Sequence, residues 1–141
     1  MRYLMKVSYD GSGFYGFQRL NDYRTVQKVL EEALGVINKG KVLVKGASRT
    51  DKGVHAYGQM IHFDIDYDIP VDRLMYAVNQ ILDNDIRVLD CKKAGNDFHA
   101  RFNVRRKKYI YKINLGNFDC LKSRYFLQVY GKLDIDKMRE C

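Results

Sequence analysis

Proline is nearly absent from this 141-residue chain: Pro70 stands alone, no segment is of low complexity, and 46% of the residues are hydrophobic, so a disordered polymer is excluded. Cysteine is scarce as well. Cys91, Cys120 and Cys141 are odd in number and widely spaced, with no Cys-x-x-Cys pair, which argues against a disulfide framework and a zinc knuckle and favours a reducing cytoplasm. Long apolar runs are missing too. The stretch Met1 to Lys6 is too polar for a signal peptide and no segment approaches a membrane span, so a soluble, cytoplasmic protein with no membrane partner is expected. Carboxylates are in the minority, 17 against 25 Lys and Arg, a formal charge of +8. That excess suits a polyanion such as nucleic acid, since each neutralised phosphate releases condensed counterions, although the same charge also serves solubility alone.

A chain of this length has room for one domain with a core, not for two complete ones. Tyr3 to Tyr9 reads as a strand, followed by a loop of glycines and aromatics from Asp10 to Gln18. Val26, Val29, Leu30, Ala33, Leu34 and Ile37 then form one helical stripe, with Thr25 as N-cap and Gly40 past the end. Val42 to Ala47 and Gly58 to Asp64 read as strands, the latter with Gln59, Ile61 and Phe63 alternating against Met60 and His62. Pro70 opens a second helix with Val71, Leu74, Met75, Val78 and Leu82 on its apolar side, and Ile86 to Cys91 is a further strand.

The order βαββαβ predicts the α+β class: a split βαβ, ferredoxin-like or RRM-like antiparallel sheet with helices on one face and the other face free. A strand from Lys107 to Leu115 is expected to extend that sheet, with Tyr109, Tyr111 and Ile113 on one side and Ile110 and Lys112 on the other. This organisation predicts one α+β domain over residues 1–132. Residues 133–141 begin like a capped helix and stop after about two turns, so the chain reads as cut off there.

Gly46-Ala47-Ser48-Arg49-Thr50-Asp51-Lys52-Gly53-Val54-His55-Ala56 is the segment richest in chemistry. Arg49 and Lys52 both favour the ionised form of Asp51, and the small residues around it leave room for a substrate. Two readings stay open: an active carboxylate, or an ion pair between Arg49 and Asp51 that only shapes the loop. His55 reads as a loop hydrogen-bond donor rather than an acid/base partner, and no His or carboxylate pattern forms a metal site.

Gly11 to Gly16 spells G-x-G-x-x-G, but no helix opens at Gly16 to face a pyrophosphate, which leaves a turn whose glycines admit a close backbone, of protein or of ribose-phosphate. Phe98 to Tyr111 interleaves cations with aromatics, the pattern that holds phosphates and base faces of RNA; the plainer reading is a solvated basic turn before a core strand.

Four segments together resemble the tRNA pseudouridine synthase A family, in the family's order and through nearly all of the chain. They are Tyr9-Asp10-Gly11 with Phe14 to Gln18, Thr25-Val26-Gln27, Gly46 to Ala56, and Phe98 to Phe102 with Lys107, Lys108, Tyr109 and Tyr111. The resemblance implies isomerisation of uridine to pseudouridine in the anticodon stem-loop of tRNA, at nucleotides 38 to 40, without a cofactor, on a base flipped out of the stack.

By the same resemblance Asp51 is the catalytic carboxylate. Arg49 pairs with it and helps fill the place of the flipped base, and Tyr109 stacks on the uracil. Arg101, Arg105, Arg106, Lys107 and Lys108 are candidates for phosphate contacts. The carboxylate serves by attacking C1′, by drawing a proton from C2′ on the way to a glycal, or by adding to C6 of the ring, and the residues do not choose among these routes. The family further implies a second α/β half beyond this chain and pairing as a homodimer. The competing function is a non-catalytic RNA-binding module, which the βαββαβ order, the charge and the aromatic-basic segment also fit.

Overall fold

The computed structural model describes residues 1–140, and the chain divides into two compact units, Met1–Arg105 and Arg106–Cys141, the last residue lying outside the described ones. In the first unit the elements run β1 (Arg2–Tyr9), α1 (Val26–Asn38), β2 (Lys45–Gly46), β3 (Ala56–Asp64), α2 (Val71–Ile81) and β4 (Ile86–Ala94). The strands form one antiparallel sheet in the order β2-β3-β1-β4. This is the expected βαββαβ sheet. β1 and β2 flank β3, and β3 and β4 flank β1, so each helix crosses over one intervening strand.

The strand pattern decides which face is dry. Tyr3, Met5, Val7 and Tyr9 alternate onto the helix side of β1 and are buried, as are Ile61 and Phe63 on β3. From the helices, Val26, Leu30 and Leu34 of α1 and Leu74 and Val78 of α2 close the core with no exposed surface. Each large side chain buried this way contributes about 1.5–3 kcal/mol. Thr25 caps α1 as expected, its hydroxyl accepting from the Lys28 amide at 3.4 Å.

The end of α1 departs in detail from expectation. Gly40 does lie past it, but Lys39 takes the left-handed conformation, at φ 54°. Just before it, Asn38 accepts from the Asp66 backbone amide on its Oδ1 and donates from Nδ2 to the Asp66 carboxylate, both at 3.0 Å.

The opposite sheet face carries Leu4, Lys6, Met60, His62 and Lys92, with Lys45 opposite His62. At one end it is covered by the segment after β4. There the Ala100 amide donates to His62 Nδ1 at 3.0 Å, and the Arg2 guanidinium binds the carbonyls of Phe98 (2.9 Å) and Asn96 and the Asp64 carboxylate (2.8 Å).

The second unit holds β5 (Ile113–Asn114) and β6 (Leu127–Gln128), paired in parallel, and α3 (Ile135–Glu140). The expected strand from Lys107 to Leu115 is therefore corrected. Only Ile113 and Asn114 are strand, and their partner is β6 rather than the main sheet. Alternation makes a segment compatible with a strand, but a strand exists only where a ladder receives it; here Leu127 and Val129 supply the amides, to the carbonyls of Lys112 and Asn114. Tyr109 and Tyr111 are consequently exposed. α3 begins where a helix was expected, with the Asp134 carboxylate accepting from the Lys137 amide at 3.1 Å.

Candidate active site

Asp51 lies in the loop that joins β2 to β3, and that loop is built against the segment following β1. Thr50 accepts the Phe17 amide at 2.9 Å on its carbonyl, and its hydroxyl meets the Tyr9 hydroxyl at 2.9 Å. Tyr9 is 5% exposed, and burial raises the pKa of its phenol, so it remains a neutral hydrogen-bonding group at the base of the loop. Gln59 of β3 donates to the Ser48 carbonyl at 2.7 Å, and the Ala47 amide donates to Met60 at 2.8 Å. Asp51 itself opens a tight turn in which its carbonyl accepts the Val54 amide at 3.2 Å and Gly53 takes φ +80°. The Gly53 amide reaches the Phe14 carbonyl at 3.4 Å.

The glycine-rich segment is thus the other wall of the same loop. Gly16, at φ +87°, brings its Cα so near the loop that a Cβ there would stand 2.7 Å from the Thr50 carbonyl oxygen. Gly11 donates its amide to His55 Nδ1 at 3.0 Å, and Asp10 lies 3.1 Å from the same nitrogen. His55 binds within the loop, but in the bond with Gly11 it is the acceptor rather than the expected donor. Of the two uses left open for the glycines, the structure displays the close approach to protein.

No nucleotide-binding helix opens here. Residues Gly11–Gly13 form a single 3-10 turn, and the first amides of α1 are taken by this loop, Val26 by the Gly16 carbonyl at 3.2 Å and Gln27 by Phe17 at 2.9 Å.

The cations of the loop do not lie where the sequence suggested. Among the described residues, neither Arg49 nor Lys52 forms an ion pair with Asp51. Lys52 instead places its ammonium 3.9 Å from the centroid of the Tyr15 ring. Asp51, Arg49 and Lys52 are all exposed. The loop is held by main-chain groups, and among the described residues the expected Arg49–Asp51 pair is not formed.

Arg101 and Arg105 follow β4 in the same unit, exposed and without a carboxylate at ion-pair distance among the described residues. The Ala100–His62 hydrogen bond fixes this segment six residues along β3 from Ala56, roughly 20 Å at the rise of a strand. Arg106, Lys107, Lys108 and Tyr109 belong to the second unit, where all are exposed and Tyr109 retains 73% of its surface.

Sequence reasoning missed two other groups. One is the row of Lys6, Lys45 and Lys92 on the open sheet face, on β1, β2 and β4, legible in the strand alternation once the core face is known. The other is Arg24, which binds both oxygens of Asp85 (2.7 and 2.9 Å) and Asp83 (2.9 Å) and covers the Phe14 ring at 4.1 Å. Arg24 ties the wall of the Asp51 loop to the α2–β4 turn, and nothing in its local sequence announces it.

Residues 5–103 match the family model described as tRNA pseudouridine synthase. The chain is 43% identical over 141 residues to the tRNA pseudouridine synthase A of Lactobacillus acidophilus, covering 98% of this chain and 54% of the relative. It is 43% identical over 144 residues to that of Bacillus pumilus (100% and 58%) and 44% identical over 145 residues to that of Listeria welshimeri (99% and 58%). The chain therefore spans about half the length of the curated relatives it matches.

Proposed function

The chain belongs to the tRNA pseudouridine synthase family, and on that premise we propose that it carries the reacting carboxylate, Asp51, of an enzyme that isomerises uridine to pseudouridine in tRNA. The observation that carries this reading is an exposed carboxylate, with no ion pair among the described residues, at the head of a turn locked on two sides by main-chain hydrogen bonds. The finer assignment is to the anticodon stem-loop, nucleotides 38 to 40, with the target uridine flipped out because its glycosidic bond is inaccessible in the stack.

The reaction detaches uracil from C1′, turns it, and rejoins it through C5. Atoms and electrons balance within the substrate, so the proposal calls for no cofactor. Asp51 acts on C1′, on the C2′ proton or on C6. Arg49 is assigned to the place the flipped base leaves and to Asp51 once substrate is bound, and Tyr109 to the face of the uracil. Arg101, Arg105, Arg106, Lys107 and Lys108 are assigned to phosphates, which suits their exposure. Two copies of the complete enzyme are expected to pair, and a reducing cytoplasm suits a chain with the free thiols Cys91 and Cys120. No described helix is long and apolar enough to cross a membrane.

The test is tritium release from tRNA carrying 5-tritiated uridine, by the chain alone and joined to the C-terminal half of the Bacillus pumilus relative. Asp51→Asn is expected to abolish release by the joined protein while leaving tRNA binding intact. Undiminished release by that variant would refute the assignment. Salt-dependent tRNA binding with no release from any form would favour the non-catalytic RNA-binding module, a reading the basic open sheet face supports.

A further inference from the structure

Asp51 has a lysine as its immediate neighbour, yet that lysine is turned onto a tyrosine. The Lys52 ammonium stands 3.9 Å from the centre of the Tyr15 ring. Tyr23 stacks on the same ring, centroids 4.2 Å apart and planes 22° from parallel. An ammonium and a ring at those distances cannot share a face, so Lys52 and Tyr23 flank the Tyr15 ring from opposite sides while 44% of its surface stays exposed. Its backbone is equally fixed. The Tyr15 amide donates to the Arg24 carbonyl at 2.9 Å, and the residues before and after it, Phe14 and Gly16, both pack on the Asp51 loop. The ring is therefore a built receptor for Lys52.

An exposed cation–π contact and an exposed ion pair are of similar strength, so a ring in place competes with Asp51 for Lys52. The difference matters to the carboxylate. An Asp51 paired with its neighbour would have to give up that pair before attacking a carbon or taking a proton, which stabilises the ground state and raises the barrier. We propose that Tyr15 is a positioning residue: its ring holds Lys52 away from Asp51 and keeps the carboxylate open to the substrate. This rests on Asp51 being the reacting group.

The test separates the two ideas. The side-chain carboxyl 13C resonance of Asp51 is recorded at neutral pH in the chain itself and in Lys52→Gln, Tyr15→Leu, Tyr15→Phe and the Tyr15→Leu, Lys52→Gln double variant. Lys52→Gln is expected to leave the resonance in place when Tyr15 is present and to displace it when Tyr15 is Leu, with Tyr15→Phe behaving as the parent. Equal displacement in both backgrounds, or none in either, overturns the proposal.

A second measurement needs no variant. The Lys52 ε-protons are expected at high field from the ring current of Tyr15, and unshifted ε-protons also overturn it. In the joined enzyme, Tyr15→Leu is expected to lower kcat about threefold with KM unchanged, and adding Lys52→Gln to restore it. A loss that Lys52→Gln does not restore overturns the proposal. The spectra report on Lys52 and Asp51 whatever the chemistry, whereas tritium release by Asp51→Asn tests the catalytic reading alone.

Discussion

Gly16→Ala is the substitution that most directly tests how the Asp51 loop is held. Two costs fall on it. The backbone at φ +87° is a left-handed conformation, which costs an L side chain about 1–2 kcal/mol. The added methyl would also stand 2.7 Å from the Thr50 carbonyl oxygen, where ordinary contact begins near 3.4 Å, so loop and wall must part by about 0.7 Å. Forcing a packed contact apart in this way costs typically about 1–3 kcal/mol. The expected loss is about 2–5 kcal/mol.

Gly53→Ala supplies the control, because Gly53 has φ +80° but no atom within 4 Å of its Cβ position; it should lose only the conformational part. Urea unfolding followed by circular dichroism reads both, as a fall in midpoint at constant slope. In the joined enzyme Gly16→Ala should also lower kcat, by up to roughly 100-fold, since a displacement of that size spoils alignment. Equal stability losses for Gly16→Ala and Gly53→Ala would refute the claim that close approach, rather than backbone conformation alone, ties the two segments together.

Three further outcomes follow from burial and charge. Burial pushes the Cys91 thiol up to about 12, so it should resist a thiol reagent at pH 8 until the chain is unfolded, whereas exposed Cys120 reacts at once; rapid labelling of Cys91 in the folded chain would contradict this. Every buried hydrophobic residue lies between Tyr3 and Ala100 and no described residue after Arg105 is buried, so limited trypsin digestion should remove the second unit first and leave a fragment ending near Arg105; uniform resistance of the whole chain would refute it.

His62 is held below its ordinary value of 6.5, first by burial and then by the charges of His99, Arg2 and Lys45, with Asp64 opposing. A depressed histidine keeps its full contribution above the unfolded value. Below about pH 6.5 the unfolded chain takes up the proton first, so stability should fall with pH until the folded-state value is passed. His62→Gln should remove that part of the slope, and an unchanged slope would refute it.

The helices and the core face of the sheet were legible because their periods survive into burial. Val26, Leu30 and Leu34 recur at helical spacing and Tyr3, Met5 and Val7 at every second residue, and all six are fully buried. The candidate site was legible as a segment but not as a geometry. Sequence adjacency placed Lys52 beside Asp51, yet the ammonium goes to a ring thirty-seven positions earlier, brought there by the packing of Gly16 on Thr50. Glu31 was equally silent: it is a charged residue on the apolar side of α1, buried because Gln27, Arg19 and the Val44 amide all donate to its carboxylate. The segment Lys107 to Leu115 misled for the opposite reason. Its alternation is real, but local pattern cannot tell whether a ladder will be there to meet it.

The Asp51 loop shows how a charged side chain can be exposed without weakening the fold around it. Its anchors are the carbonyls of Ser48, Thr50 and Asp51 and the amides of Ala47 and Gly53, bound by Gln59, Phe17, Val54, Met60 and Phe14. None of these bonds uses the side chain of Arg49, Asp51 or Lys52. Those side chains are therefore released from structural duty, and a substitution at an exposed position with no hydrogen bond to lose changes stability by less than about 0.5 kcal/mol. That separation makes Asp51→Asn a clean probe: a stable, tRNA-binding protein that no longer releases tritium would locate the loss in the carboxylate itself, because the loop that presents it does not depend on the charge it carries.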